Sequence, residues 1–218
     1  SAVVTAMAWG NPIVSAIPTA VSANTCINSS QNGYGTELAS ILQAMEEQTL
    51  IPADQLKAHF WDVFIVDALL ENFDRHNGNW GILVDEERQT AEIAPVYDCG
   101  SCLYPQLGTQ EMEAVLNDES EINRRIHEYP TSAIMDGGAK ISYPRFIASL
   151  QNEDCNQALE RISARIDMAR IETLIQQTPG LLPIQRDFYR IMIRARKEQV
   201  LDCGMEQLLR AREQRPDG

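Results

Sequence analysis

The chain has 218 residues and a formal net charge of −13, with 31 acidic residues against 18 lysines and arginines. This length suffices for one large domain with its own hydrophobic core. The acidic surface argues against direct nucleic-acid binding, which needs a basic face. Five cysteines without a preceding secretory signal favour a reduced, cytoplasmic setting.

The first 36 residues carry no charged side chain, which raises the question of a membrane segment. Pro12, Pro18 and the lack of a flanking basic cluster argue against a membrane helix or signal peptide. We therefore predict that 1–35 is a linker or the remnant of an N-terminal lobe. It would contain a strand and an irregular segment packed on the core, and Ser1-Ala2 fits the scar of a cleaved tag.

The spacing of apolar residues predicts a mostly helical protein with one small sheet. Thr36 is expected to cap the first helix. The second helix is apolar on most sides, so it should be central and buried. The predicted helices cover 37–48, 53–72, 109–117, 119–128, 143–151, 155–177 and 183–214.

A polar loop follows the central helix and precedes a predicted β-hairpin. Its strands cover about 80–84 and 90–94, and Pro95 ends the second because proline cannot donate to a ladder. A hairpin of this length brings Asp98 back beside the loop that contains Asp74 and Asn79. Two carboxylates and an amide are then expected to lie close together in one site.

That combination suits phosphoryl transfer, which needs positioning and charge neutralisation more than covalent chemistry. Asp74 would orient the acceptor hydroxyl and take its proton, and Asn79 and Asp98 would offer oxygen ligands to magnesium. His76 is a second predicted catalytic residue, which would hydrogen-bond the loop, a phosphate or Asp98. A purely structural histidine is an equally open interpretation.

Purely structural roles for these residues also have physical support. Asp, Asn, His and Gly are common turn residues, so 74–79 could be only a tight loop. Asp67 is open between pairing with Arg75 or the loop backbone and simple solvation. Cys99 and Cys102 have C-x-x-C spacing, but no second pair completes a zinc site, which favours ordinary thiols beside Asp98.

The segment Asn72-Phe-Asp-Arg-His-Asn-Gly-Asn-Trp-Gly81, together with Ile93-Ala-Pro-Val-Tyr-Asp98, resembles the catalytic and metal-binding loops of HipA-like serine/threonine kinases. These form an atypical branch of the protein-kinase fold. The resemblance covers roughly 33–150. It implies an α+β, mostly α fold, in which 36–218 form a helical C-lobe and a small β-hairpin carries the metal-binding loop.

By this resemblance Asp74 is the catalytic aspartate, and Asn79 and Asp98 bind the cofactors Mg²⁺ and ATP. The acceptor would be a serine or threonine hydroxyl of a protein substrate. Asp98-Cys-Gly100 keeps the glycine of the usual D-F-G triplet but not the phenylalanine. Family members often belong to toxin–antitoxin systems, which suggests an antitoxin-like partner.

One departure concerns the N-lobe, which in kinases supplies a phosphate-covering loop and a strand lysine. None of the three lysines, Lys57, Lys140 and Lys197, lies on a predicted strand before the catalytic loop. The chain is therefore expected to be inactive alone. A shortened chain, an N-lobe supplied by another chain, and a degenerate pseudokinase that serves as an interaction module remain open.

A small-molecule phosphotransferase of the aminoglycoside type is a further alternative, because it also pairs an aspartate with an asparagine five residues later. The hairpin between the two loops and the Arg75-His76 pair favour the HipA-like branch instead.

Overall fold

The computed structural model describes residues 20–22, 36–85 and 88–214. Its helices are α1 Leu38–Glu47, α2 Ala53–Leu70, α3 Thr109–Leu116, α4 Glu119–His127, α5 Tyr143–Ser149, α6 Glu153–Ser163, α7 Met168–Gln177, α8 Pro183–Arg196 and α9 Cys203–Glu213. Its strands are β1 Ala20–Ser22, β2 Gly81–Asp85, β3 Thr90–Ile93, β4 Met135–Asp136 and β5 Ala139–Lys140. The protein is mostly helical, as the apolar spacing predicts.

Helix α2 is the centre of the core. Trp61, Ile65 and Ala68 on this helix have no solvent exposure. The helix packs chiefly against α6, and the exposed side of that contact carries an ion pair between Arg161 and Asp62 at 2.8 Å. The polar loop that follows α2 therefore begins from a rigid support.

The predicted hairpin is present and is extended by a third strand. β2 pairs antiparallel with β3, with Ile82 opposite Ile93. β1 pairs antiparallel with the other edge of β2, with Ala20 opposite Leu83. The strand predicted within the N-terminal segment thus includes Ala20–Ser22, and the rest of 1–35 lies outside the described residues.

The single helix predicted over 155–177 is wrong, because the chain forms α6 and α7 with a break between them. The Asp167 carboxylate accepts a hydrogen bond from the backbone N–H of Arg170 at 3.0 Å and so caps α7. A capping aspartate offers the backbone an alternative to continuous helix, and apolar spacing alone does not register that competition.

The helix predicted over 183–214 is confirmed, with one local change of winding. A π-helical stretch, Lys197–Asp202, joins α8 to α9. The three segments form one continuous helical rod at the C-terminal end of the described residues. Gly204 of α9 packs against α5, where a β-carbon would meet Ile147 Cγ2 at 2.7 Å. A larger residue there would push the rod away from the core.

The predicted cap at Thr36 is also wrong, because α1 begins after Glu37 and has no side-chain cap. The Glu37 carboxylate instead accepts hydrogen bonds from the backbone N–H groups of Gly137 and Gly138, at 2.6 and 3.4 Å. This ties α1 to the β4–β5 hairpin. In the part of the chain that the structure describes, no helix is both long and apolar enough to span a membrane.

Candidate active site

The base of the site is a buried ion pair between α2 and the loop after it. Arg75 donates from Nε to Asp67 Oδ2 at 2.8 Å and from Nη2 to Oδ1 at 3.0 Å. Asn72 also donates to Asp67 Oδ1, at 2.9 Å. Burial raises the pKa of Asp67, and the paired guanidinium opposes that rise. Asp67 is therefore a buried partner of Arg75 rather than a solvated residue.

The Nη1 edge of the Arg75 guanidinium joins two loops. Its Nη1 donates to the carbonyl of Asn79 at 3.1 Å and to the carbonyl of Tyr97 at 2.7 Å. Its Nη2 lies 3.8 Å from Cys99 Sγ. A second hydrogen bond also joins the two loops, because the Tyr97 hydroxyl donates to the Gly78 carbonyl at 2.9 Å. The hairpin thus brings the segment of Asp98 beside the loop of Asp74 and Asn79.

Within the first loop, Asn79 turns back toward Asp74. The Asn79 amide nitrogen donates to the Asp74 backbone carbonyl at 2.7 Å, and Asn79 is buried whereas the Asp74 side chain is exposed. Because Nδ2 is used in this way, Oδ1 is the amide atom left to accept a metal ion. Asp74 is free to contact a substrate.

His76 shapes the short 3₁₀ turn Asn77–Asn79. Its Nδ1 accepts a hydrogen bond from the Gly78 backbone N–H at 3.0 Å. A β-carbon on Gly78 would lie only 2.9 Å from His76 Cε1, so glycine permits this approach. The geometry gives His76 a loop-forming role through Nδ1, and its predicted catalytic role stays a prediction.

Asp98 sits on a strained backbone. Its φ is +53°, a left-handed conformation that is uncommon for residues with a side chain. Such strain concentrates at functional sites and persists only where the surroundings enforce it. Here the bonds of Arg75 and Tyr97 on the preceding residue supply that constraint, and the Asp98 carboxylate is exposed.

The C-x-x-C pair forms a turn directly after Asp98. The Cys102 backbone N–H donates to the Cys99 carbonyl at 3.2 Å, and both side chains are half-buried free thiols. A hydrogen bond from the Cys102 thiol, followed by the Arg75 guanidinium, lowers the pKa of Cys99 to about 6. The same interaction and burial raise the pKa of Cys102.

A second buried ion pair was missed by sequence reasoning. Arg196 of α8 donates from Nη1 to Glu71 Oε1 at 2.7 Å and from Nε to the Ala68 carbonyl at 2.6 Å. The Tyr104 hydroxyl also donates to Glu71. Burial raises the pKa of Glu71 to about 7. The one available signal was a basic residue at the buried, apolar face of α8, after Met192 and Ile193.

The donor set fits a magnesium ion only if other ligands complete it. Among the described residues, no group of three or more His, Cys, Asp or Glu side chains could hold a metal ion. Magnesium commonly takes one or two protein oxygens and fills its octahedron with water and substrate phosphates. The Asn79 amide oxygen and the Asp98 carboxylate match that pattern.

Comparison with known proteins identifies the class of the chain. No protein-family model matches it. Over 182 residues it is 42% identical to the serine/threonine-protein kinase CtkA of Helicobacter pylori (strain J99), an alignment that covers 83% of this chain and 56% of that protein. The chain therefore spans little more than half the length of this curated relative.

The solved structures give the same class. The crystal structure of a Helicobacter pylori proinflammatory kinase, CtkA, superposes with a TM-score of 0.85 and 38% sequence identity, covering 92% of this chain and 74% of that chain. The fold and the sequence thus make the chain a homologue of serine/threonine protein kinases. Within that class it belongs to the family of CtkA.

Proposed function

We propose that this chain forms the acceptor-binding and metal-binding half of a HipA-like kinase centre, which transfers the terminal phosphoryl group of ATP to a serine or threonine hydroxyl of a protein. The observation that carries the proposal is the position of Arg75. It is anchored on Asp67 and hydrogen-bonds the carbonyls of Asn79 and Tyr97, so it holds the Asp74 loop against the Asp98 segment.

Each polar residue has a role in this proposal. Asp74, exposed just beyond the rigid helix α2, accepts the proton of the substrate hydroxyl and aims its oxygen. Asn79 Oδ1 and the Asp98 carboxylate hold Mg²⁺, which when bound neutralises charge on the phosphate oxygens of ATP. His76 keeps Asn79 in place through the turn that its Nδ1 forms with Gly78.

The residues that grip the ATP phosphates belong, in this proposal, to a part of the kinase other than the described residues. Lys57 pairs with Glu46, and Lys197 pairs with Asp202. Lys140 lies on β5, in the two-stranded sheet apart from β2 and β3. We therefore propose that residues 36–218 act as a C-lobe and transfer phosphate slowly or not at all without their N-lobe.

Transfer from radiolabelled ATP to a protein acceptor tests the catalytic assignment. The assay needs the chain together with an N-lobe, in the same polypeptide or added separately. Asp74→Asn is expected to lower the rate by about 10²–10⁴-fold, the usual contribution of a positioned general base. Asp136→Asn, which changes another exposed aspartate on β4, should leave the rate unchanged. Undiminished transfer by Asp74→Asn would refute the role of Asp74.

Metal binding can be tested on this chain alone and again with an N-lobe present. Titration with Mn²⁺ and ATP, followed by electron paramagnetic resonance, should show weak binding that Asp98→Asn reduces strongly. A chain that binds no Mn²⁺–ATP in the presence of its N-lobe would favour a non-catalytic interaction module. This measurement separates the metal assignment from the choice of protein substrate.

A further inference from the structure

Cys99 and Cys102 are close enough to form a disulfide with little backbone movement. The hydrogen bond from the Cys102 N–H to the Cys99 carbonyl, 3.2 Å long, closes a four-residue turn. The α-carbons at the ends of such a turn lie within about 7 Å, and disulfides span about 4.4–6.8 Å.

Both thiols also keep some exposure to solvent. Cys99 and Cys102 are half-buried, whereas Cys155 is buried and Cys203 is exposed. Gly100 between them is exposed, and its nearest contact for an added β-carbon is Asp98 Oδ1 at 3.8 Å, so the turn is not tightly packed.

The Cys99 side chain is at the same time part of the structure that fixes Asp98. Its sulfur lies 3.8 Å from Arg75 Nη2, and Arg75 Nη1 bonds the carbonyl of Tyr97. Asp98 is held between these two residues with its φ at +53°. A change in the direction of the Cys99 side chain removes one of the contacts that maintain this conformation.

We propose that Cys99 and Cys102 are a reversible oxidation site, whose disulfide weakens divalent-metal binding at Asp98. The oxidant is a peroxide. It transfers one oxygen to the Cys99 sulfur, giving a sulfenic acid and, from hydrogen peroxide, water. The Cys102 sulfur then attacks the Cys99 sulfur, and the departing hydroxide takes the Cys102 proton to leave as water. Two electrons pass from the two thiols to the peroxide.

A bond to Cys102 fixes the direction of the Cys99 sulfur and takes away the free thiol that contacts Arg75. The backbone at Asp98 then loses part of its support, and its carboxylate is held less firmly. Loss of an outer contact around a metal ligand typically weakens metal affinity by roughly 10–100-fold. This second part of the inference rests on the proposed function, whereas disulfide formation does not.

Peptide mass spectrometry tests the disulfide. The reduced chain is treated with hydrogen peroxide, then with an alkylating reagent. We expect the peptide that contains Cys99 and Cys102 to lose two hydrogen atoms and to resist alkylation until a dithiol reductant is added. Cys203→Ser should behave like the unchanged chain. Alkylation of both cysteines after peroxide treatment, or a disulfide that joins Cys99 to Cys203, would overturn the proposal.

Electron paramagnetic resonance of Mn²⁺, with ATP present, tests the effect on the metal site. Oxidation should weaken Mn²⁺ affinity by roughly tenfold. In the doubly substituted chain Cys99→Ser and Cys102→Ser, peroxide should change nothing. Equal affinity of the oxidised and reduced chains would refute the coupling. If the reduced chain binds no Mn²⁺, the proposed metal site and the coupling both fail, and the mass measurement still decides whether the disulfide forms.

Discussion

Two buried ion pairs lie one turn apart at the end of α2, and they are built differently. Asp67 pairs with Arg75, eight residues away, and both of its carboxylate oxygens receive hydrogen bonds from the guanidinium. Glu71 pairs with Arg196, 125 residues away. Among the described residues, Glu71 Oε2 and Arg196 Nη2 are buried without a hydrogen-bond partner. The local pair is satisfied, and the long-range pair is not.

The difference matches what each pair supports. Arg75 hydrogen-bonds the carbonyls of the two candidate catalytic loops, so its pair fixes geometry at the site. Arg196 hydrogen-bonds the carbonyls of Ala68 and Ile126, so its pair attaches the C-terminal rod to α2 and α4. A buried ion pair whose hydrogen bonds are all made favours one arrangement of the residues around it. A buried carboxylate with an unpaired oxygen is more sensitive to protonation.

The largest effect is expected from Arg75→Met. It leaves the Asp67 carboxylate buried without its cation and should lower the free energy of unfolding by about 3–5 kcal/mol. Urea unfolding measures the change. Arg88→Met removes an arginine whose side chain is 82% exposed and should cost less than about 1 kcal/mol. Equal losses for the two variants would show that the local pair is not a structural anchor.

A smaller loss is expected from Arg196→Met, because Glu71 can become neutral. Its pKa is already raised to about 7, and removal of the cation raises it further. We expect a loss of about 2–3 kcal/mol at pH 8 and a smaller loss at pH 6, by urea unfolding. Arg194→Met, on the exposed side of α8, is the matched control. A loss independent of pH would contradict this interpretation of the second pair.

The last prediction concerns a pH dependence that belongs to Glu71. Its pKa is near 4.5 in the unfolded chain and about 7 in the folded protein, so the folded state holds the proton more tightly. The resulting stabilisation is complete below about pH 4.5 and is lost as the pH rises through 7, by up to roughly 3 kcal/mol.

Glu71→Gln should flatten this slope, and urea unfolding at several pH values between 5 and 8 measures it. The pKa of Asp67 is also raised, so some pH dependence of the unfolding free energy should remain. Glu172→Gln, which changes a partly exposed carboxylate paired with Arg194, should keep the original slope. An unchanged slope in Glu71→Gln would place the pH sensitivity elsewhere.

Local chemistry made much of the site predictable. Apolar spacing located α2, Pro95 ended the second strand, and the hairpin length implied that Asp98 returns beside Asn79. Contacts between the two loops agree with that return. The break between α6 and α7 was not predicted, because capping by Asp167 competes with a continuous apolar stripe.

The sequence by itself determined the polar loop, its position after a buried helix and the carboxylates that it carries, because turn chemistry and apolar periodicity act over a few residues. Only the tertiary structure decided which buried charges meet. Nothing local indicates that Arg196 reaches Glu71, or that Arg75 bonds the carbonyls of both loops. Those pairings are selected when packing removes water, since a buried charge then needs whatever partner the fold brings near.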